Sequence, residues 1–232
     1  LPITVSRKKS FDIIKVKKAK KIKPFNYHVP SDISSAAFFI VLTCLKDNSS
    51  IRIKNVNINP SRIGLIIILK KMGANISFKN KKLYKGEFVA DIFVKSTKKL
   101  KPINCPVRLN SSSIDEFLLI FLVAAKARGV SFFKNLSELN QKESPRLKWG
   151  SKILNLMGIK TVCTNDSIKI FGNNKITINK KIVIKDYLKD HRIFMSSAIA
   201  ALTFGGEWHI HDQNSINTSF PSFLKILKNL QK

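Results

Sequence analysis

The chain has 232 residues, of which 44% are hydrophobic, with nine glycines and eight prolines. This composition can form a core for one large or two small domains, and it excludes a wholly disordered or collagen-like chain. The formal net charge of +28 has three interpretations: compositional drift, steering of small anionic substrates, and nucleic-acid binding. We favour drift and then steering, because the lysines are dispersed and few aromatic residues alternate with them.

Cysteine usage and hydropathy indicate a protein of a reducing compartment. The three cysteines, Cys44, Cys105 and Cys163, lie far apart and match neither a disulfide framework nor a metal-binding spacing. A reducing compartment fits these cysteines, and we expect a cytoplasmic protein without metal or cofactor. The apolar run at 117–125 is too short to span a membrane and predicts a buried helix. The sequence begins with Leu1 and carries no signal peptide, so we expect it to start inside a longer protein.

The first 29 residues predict strands at 3–5 and 12–16 joined by a charged turn. A further strand-like segment, at 25–29, meets Pro30, which marks a boundary. We therefore expect one unit to end at residue 29 and another to begin at residue 30.

A repeated order of helix, strand, helix, strand and strand follows Pro30. The helices are predicted at 32–45, 60–72, 114–128, 145–157, 191–203 and 221–230. The strands are predicted at 51–58, 76–78, 88–94, 130–133, 160–162, 168–171 and 208–210. The pattern predicts an α/β lobe with three repeats, at about 31–95, 113–171 and 190–232.

Three charged clusters lie at predicted helix starts, where free N–H groups and the helix dipole attract anions. They are Asp115-Glu116, Lys142-Glu143-Ser144-Pro145-Arg146 and Asp190-His191-Arg192. Each cluster also has a structural interpretation. Ser144 would cap a helix that has Pro145 at its first position, Asp190 would cap the next helix, and the acidic pair would form a first turn.

A pair of histidines, His209 and His211, lies on one face of a predicted strand. Metals can use such a pair, but no convincing third ligand accompanies it. We therefore interpret both as surface histidines or as histidines stacked on a partner group, and we expect no metal site.

Seven segments, in chain order, resemble the family of 5-enolpyruvylshikimate-3-phosphate synthases. They are VPSDISSAAFF at 29–39, NPSRIG at 59–64, MGA at 72–74, IDE at 114–116, ELNQKESPR at 138–146, DHRI at 190–193 and TSFP at 218–221. The UDP-N-acetylglucosamine enolpyruvyl transferases are similar less closely, because the sets around residues 142–146, 190–192 and 219–221 belong to the shikimate family.

The resemblance implies an enolpyruvyl-transferase-type lobe, an inside-out α/β barrel, for residues 30–232, and it assigns residues 1–29 to the end of a second lobe. It implies transfer of the enolpyruvyl group of phosphoenolpyruvate to the 5-hydroxyl of shikimate 3-phosphate, with release of phosphate, in the biosynthesis of chorismate and the aromatic amino acids. The family's N-terminal half has no counterpart here. We therefore expect the chain alone to be nearly inactive, monomeric and not bound to membranes or nucleic acid.

The resemblance also assigns roles to the charged clusters. Asp115 would bind shikimate 3-phosphate and take its hydroxyl proton, Lys142 would bind the same substrate, and Glu143 would protonate the enol methylene. The residues that would hold phosphoenolpyruvate are Arg146 and Arg192, with His191 as a supporting residue. Pro145 departs from the family, which has an aspartate there. A basic nucleic-acid-binding module and an inactive relative of the same fold stay open as alternatives.

Overall fold

The computed structural model describes residues 3–19, 21 and 23–230. Its α-helices are α1 (Ile33–Leu45), α2 (Gly64–Lys71), α3 (Phe117–Lys126), α4 (Arg146–Leu156), α5 (His191–Phe204) and α6 (Phe223–Leu230). Its strands are β1 (Ile3–Arg7), β2 (Asp12–Val16), β3 (Ser50–Asn57), β4 (Asn75–Tyr84), β5 (Glu87–Lys95), β6 (Gly129–Phe133), β7 (Thr161–Cys163), β8 (Ile168–Gly172), β9 (Lys181–Ile184) and β10 (Glu207–Ile210). Short 3-10 helices cover Val107–Leu109, Ser111–Glu116, Ser137–Gln141 and Gln213–Thr218.

The strands form two three-stranded sheets and two strand pairs. One sheet has the order β3-β5-β4 and the other the order β6-β8-β7, and both are antiparallel. Strand β10 pairs in parallel with β9, while β1 and β2 form an antiparallel hairpin. The two sheets therefore repeat one arrangement, in which the last strand of each set lies in the middle.

Three helices form the centre of the molecule. Helix α1 buries eleven of its thirteen residues and α3 buries nine of ten, so neither has a polar face of the kind a surface helix shows. Helices α1, α3 and α5 contact one another, and the sheets lie around them. This order, with helices inside and sheets outside, agrees with the predicted inside-out α/β fold. Within the described residues, no helix is both long and apolar enough to cross a membrane.

The predicted strand at 25–29 is wrong. Its backbone is bound by side chains of the β4–β5 hairpin instead, because Tyr84 Oη accepts from the His28 N–H at 3.0 Å and Lys85 donates to the Asn26 carbonyl. The ring of Tyr27 also packs on that of Tyr84, with centroids 5.4 Å apart. Strand β9, which pairs in parallel with β10, was missed. The division of the chain at residues 29 and 30 and the repeat bounds stay predictions.

Two helices begin later than their prolines and acidic residues suggest. The amide of Ser61 donates to Asn59 Oδ1 at 3.0 Å, which closes an Asx turn, and α2 starts only at Gly64. Residues 111–116 form a 3-10 helix before α3 instead of its first turn. This 3-10 helix matters for function because it ends with Asp115 and Glu116.

A close approach of α2 fixes the position of that 3-10 helix. A Cβ placed on Gly64 would lie 2.4 Å from the Oγ atom and 2.7 Å from the carbonyl carbon of Ser112. Only glycine permits this contact, since real Cβ atoms do not approach backbone atoms so closely. The residue at 64 therefore helps to set where Asp115 lies.

Replacing Gly64 with alanine should destabilise the protein by about 1–2 kcal/mol. Overpacking costs about 1–3 kcal/mol, while the higher helix propensity of alanine returns at most about 1 kcal/mol. Urea denaturation measures the difference. The matched control is Lys70→Ala, which places alanine at an exposed position of the same helix and should change stability by less than about 0.5 kcal/mol. A G64A variant as stable as the wild type would contradict this packing.

Candidate active site

The starts of three helices meet around the guanidinium group of Arg146, the first residue of α4. Its Nε atom lies 2.8 Å from Asp190 Oδ2 and its Nη2 atom 3.3 Å from Asp190 Oδ1. Its Nη1 atom lies 3.3 Å from Asp115 Oδ1, and Nη2 also donates to Glu143. The side chain of Arg146 is 2% exposed, so this cation is buried among three carboxylates.

Asp190 is the carboxylate that compensates Arg146. Its side chain is fully buried and also accepts from the Ser144 hydroxyl at 2.8 Å and the Arg192 amide at 2.9 Å. Burial by itself would raise the pKa of Asp190, but the hydrogen bonds and charge of Arg146 outweigh it, so the pKa lies below its ordinary value. A buried ion pair tolerates desolvation only with such full hydrogen bonding. Asp190 therefore both caps α5, as predicted, and binds α4.

Ser144 does not cap α4, contrary to the sequence prediction. Its hydroxyl donates to Asp190, a buried and ionised acceptor, and no side chain caps this helix. Pro145 precedes the first helical residue, and its carbonyl accepts from the Trp149 amide at 3.0 Å. Proline has no N–H to leave unpaired at a helix start. The segment therefore starts a helix as predicted, with its serine used for a contact between helices.

Asp115 lies among cations from two other segments. Lys142 Nζ is 3.6 Å from its Oδ1 atom, and Arg192 donates to its backbone carbonyl at 2.8 Å and lies 4.0 Å from its Oδ2 atom. Burial would raise the pKa of Asp115, but the charges of Arg192, Lys142 and Arg146 hold it below the ordinary value. Asp115 is therefore ionised at neutral pH and able to accept a proton.

The other predicted residues lie at the rim of the cluster. Lys142 also lies 3.4 Å from Glu138 Oε1, while Glu143 is half-exposed beside Arg146. His191 is half-buried at the start of α5, and burial, with further effects from neighbouring charges, lowers its pKa, so its ring is neutral at neutral pH. All six predicted site residues therefore belong to one cluster.

The histidine pair lies outside this cluster, at the surface. His209 is exposed and contacts Glu207, while His211 follows the end of β10. Across residues 3–19, 21 and 23–230, no group of three or more His, Cys, Asp and Glu side chains could hold a metal ion.

A chain of polar groups beside Asp115, formed by Glu116, Ser34 and Arg62, was not assigned from sequence. Glu116 is 4% exposed and accepts from the Ser34 hydroxyl at 2.6 Å. Ser34 in turn accepts from Arg62 Nη2 at 3.0 Å. Arg192 Nη1 lies 3.7 Å from Glu116 Oε1. Burial raises the pKa of Glu116 despite these partners. Ser34, Arg62 and Glu116 all lie in segments that resemble the family, and this resemblance was the signal that could have identified them.

The cluster is nearly balanced in charge, although the chain carries +28. Its cations are Arg62, Lys142, Arg146 and Arg192, and its carboxylates are Asp115, Glu116, Glu138, Glu143 and Asp190. Adjacent Asp115 and Glu116 have pKa values shifted in opposite directions. Pairs of this kind are typical of acid–base sites. The geometry suits anion binding together with proton transfer.

Replacing Asp190 with asparagine should cost about 3 kcal/mol of stability at pH 7, because a buried arginine loses its main counterion. Asparagine still caps a helix, so the loss reports the charge. The pKa of Asp190 is depressed in the folded state. Its stabilisation is therefore complete above the unfolded value of about 4 and is lost as the pH falls through the folded value.

The measurement is urea denaturation at pH 7 and at about pH 3. At about pH 3 the difference in free energy of unfolding between wild type and D190N should be smaller than at pH 7. The matched control is Asp32→Asn, which changes the exposed cap of α1 and should have little effect at either pH. Equal losses in the two variants would show that the buried pair contributes no more than the charge of an exposed helix cap, and would contradict the account.

Comparison with known proteins places these features in one family. A family model for EPSP synthase (3-phosphoshikimate 1-carboxyvinyltransferase) matches residues 1–227. The 3-phosphoshikimate 1-carboxyvinyltransferase of Ruthia magnifica is 41% identical over 206 residues, which cover 89% of this chain and 46% of the relative. The protein of that name from Staphylococcus aureus (strain JH9) is 40% identical over 210 residues, covering 90% and 48%. The chain thus spans about half the length of the curated relatives it matches.

Solved structures agree with the family model. The EPSP synthase of Acinetobacter baumannii matches with a TM-score of 0.89 and 36% identity, over 98% of this chain and 52% of that chain. The enolpyruvyl transferase NikO from Streptomyces tendae matches with a TM-score of 0.75 at 13% identity, over 99% and 50%, which shows the fold alone. Because the family model covers nearly the whole chain and the relatives match in sequence and in structure, the chain belongs to the EPSP synthase family.

Proposed function

We propose that the product of this gene transfers the enolpyruvyl group of phosphoenolpyruvate to the 5-hydroxyl of shikimate 3-phosphate and releases phosphate. One observation carries the proposal. Asp115, ionised and partly buried, lies within 4.0 Å of Lys142, Arg146 and Arg192, which come from two other helix starts. This chain would supply one face of the site, because it spans about half of its relatives.

The first step needs a base at the attacking hydroxyl. Asp115 takes the hydroxyl proton while the oxygen forms a bond to C2 of phosphoenolpyruvate. Its lowered pKa keeps it ionised before the step. Lys142, 3.6 Å from Asp115, binds shikimate 3-phosphate and stabilises the developing negative charge.

The same step needs an acid at the alkene, since C3 becomes a methyl group. Glu143 provides that proton after it leaves Arg146 and takes up a proton from solvent, and its half-exposed position allows both this exchange and contact with a bound substrate. In the second step the bond from C2 to the phosphate oxygen breaks, C3 returns a proton, and phosphate leaves with the electron pair. The proton count closes, since one proton enters and leaves C3 and the hydroxyl proton is released.

The two arginines hold the anionic groups of phosphoenolpyruvate, which planar guanidinium groups bind with paired hydrogen bonds. Arg192 is the more available, because its described contacts are the Asp115 carbonyl and two longer ion pairs. Arg146 already donates to Asp190, Asp115 and Glu143. It can bind substrate with its remaining N–H, and more fully once Glu143 moves toward the alkene. His191 supports the start of α5 beside them.

The cellular setting follows from the same proposal. The free thiols of Cys44 and Cys105 are buried, and burial raises the pKa of Cys105 to about 11 and that of Cys44 to about 12. They are therefore unreactive thiols and fit a cytoplasmic protein. We also propose that it acts as a monomer and needs no metal or cofactor, since the chemistry requires only acids, bases and fixed cations.

The full-length gene product should release phosphate from phosphoenolpyruvate only when shikimate 3-phosphate is present. In that protein Asp115→Asn should lower kcat at least about 100-fold, the loss typical of removing a catalytic base. A colorimetric phosphate assay measures both. Asp47→Asn is the control, because Asp47 is exposed and follows the far end of α1. Wild-type protein that binds both substrates without releasing phosphate would refute the proposed activity.

Changing Arg192 to alanine should mainly weaken phosphoenolpyruvate binding. The loss of charge-assisted hydrogen bonds worth about 1.5–3 kcal/mol raises the KM for phosphoenolpyruvate about 10-fold or more. Steady-state kinetics with each substrate varied in turn separates this KM from that of shikimate 3-phosphate. The control Arg128→Ala removes an exposed arginine beyond the opposite end of α3. A KM for phosphoenolpyruvate unchanged in R192A would refute the role.

A further inference from the structure

A fourth cation reaches the site from the loop between β3 and α2. The backbone of this loop is well fixed, because Asn59 accepts from the Ser61 amide at 3.0 Å through its side chain and from the Arg62 amide at 2.8 Å through its carbonyl. Arg62 therefore projects from a defined point, although it lies outside the three helix starts that carry the other charged residues.

The guanidinium group of Arg62 makes one side-chain hydrogen bond and keeps its other N–H donors for a ligand. Its Nη2 atom donates to Ser34 Oγ at 3.0 Å, and Ser34 is buried. Arg62 itself is exposed. Among the residues that the structure describes, no carboxylate lies within 4.0 Å of it. This differs from Arg146, whose guanidinium group is almost fully occupied.

A buried carboxylate links Arg62 to the site. Ser34 Oγ donates to Glu116 Oε1 at 2.6 Å, and Arg192 Nη1 lies 3.7 Å from the same oxygen. The positive charge of Arg62 contributes to the lowered pKa of Asp115 and opposes the rise that burial causes in the pKa of Glu116, so it is electrostatically close to the site. Glu116 therefore orients two arginines, one from the β3–α2 loop and one from α5, toward the same region.

We propose that Arg62 is a further anion-binding residue of this site, which contacts the carboxylate or phosphate oxygens of a bound substrate. Ser34 and Glu116 are positioning residues that hold Arg62 on the same side as Arg192. The inference rests on the proposed function only for the identity of the substrates. A guanidinium group with one internal hydrogen bond keeps other N–H donors for a bidentate contact with a bound anion. Neither the anion contact of Arg62 nor its positioning by Ser34 and Glu116 requires α4 to move.

The experiment uses the full-length gene product with Arg62→Gln and Arg62→Lys. We expect R62Q to raise the KM of one anionic substrate about 10-fold, the effect of losing one charge-assisted contact, with a much smaller change in kcat. R62K should recover part of the loss, because it keeps the charge without the planar fork. The source of the bound oxygens follows from inhibition by inorganic phosphate and by lactate. A weaker effect of phosphate in R62Q indicates a phosphate contact, and a weaker effect of lactate indicates a carboxylate contact.

The matched control is Arg128→Gln, which removes the same charge from an exposed residue beyond the far end of α3. That helix has ten residues, which corresponds to about 15 Å at 1.5 Å per residue. If R62Q leaves both KM values within about twofold of wild type, or changes them only as much as R128Q does, the proposal is overturned. The general loss of one positive charge would then be sufficient to explain the effect of R62Q on the KM values.

The positioning role has a separate test in Ser34→Ala. We expect S34A to raise the same KM about threefold, near the value of one neutral hydrogen bond, and to have no further effect in the R62Q background. An equal rise in both backgrounds would show that Ser34 does not act through Arg62.

Turnover is not required to judge Arg62. If the wild type releases no phosphate, the proposed function fails, and calorimetric titration with phosphoenolpyruvate and with inorganic phosphate still compares wild type with R62Q. Weaker binding of either anion by R62Q supports the inference, while equal binding, or no binding by the wild type, overturns it.

Discussion

The buried pair of Arg146 and Asp190 is the interaction on which the site depends. It joins the first residue of α4 to the cap of α5, and its remaining contacts reach Asp115 before α3. The desolvation of an arginine with 2% exposure is offset only because carboxylates surround its guanidinium group. This buried pair therefore fixes the spacing of the three helix starts. It thereby also fixes the distances among Asp115, Lys142 and Arg192.

The fold explains why the polar groups gather at one place. Helices α1 and α3 are apolar around nearly their whole circumference. Most of their side chains therefore pack in the core, and polar functional groups can lie only at the helix ends. At the starts of α3 and α4, segments 111–116 and 142–146 bring side chains together that are distant in sequence. Gly64 adds to this arrangement, because its lack of a Cβ lets α2 press against Ser112. The packing of the central helices thus determines the positions of the charged groups.

Sequence was sufficient for the features that depend on local chemistry. Asp190 caps α5 as predicted, and the seven ordered segments indicated the correct family. Features that depend on distant partners were not predictable. Ser144 has the pattern of a cap, yet its hydroxyl binds a carboxylate 46 residues away. The segment 25–29 looks like a strand, but the β4–β5 hairpin binds its backbone. Glu116 looked like a first-turn acid, and its burial against Ser34 follows only from how α1 and α3 pack.

The most direct test of the central claim is a double-mutant cycle on the stability of Arg146→Gln and Asp190→Asn, measured by urea denaturation at pH 7. If the pair organises the site, the two losses are strongly non-additive, with a coupling free energy of about 2 kcal/mol or more, toward the upper end for residues in contact. Losses that add to within about 0.5 kcal/mol would show that the two residues act independently and would contradict the account.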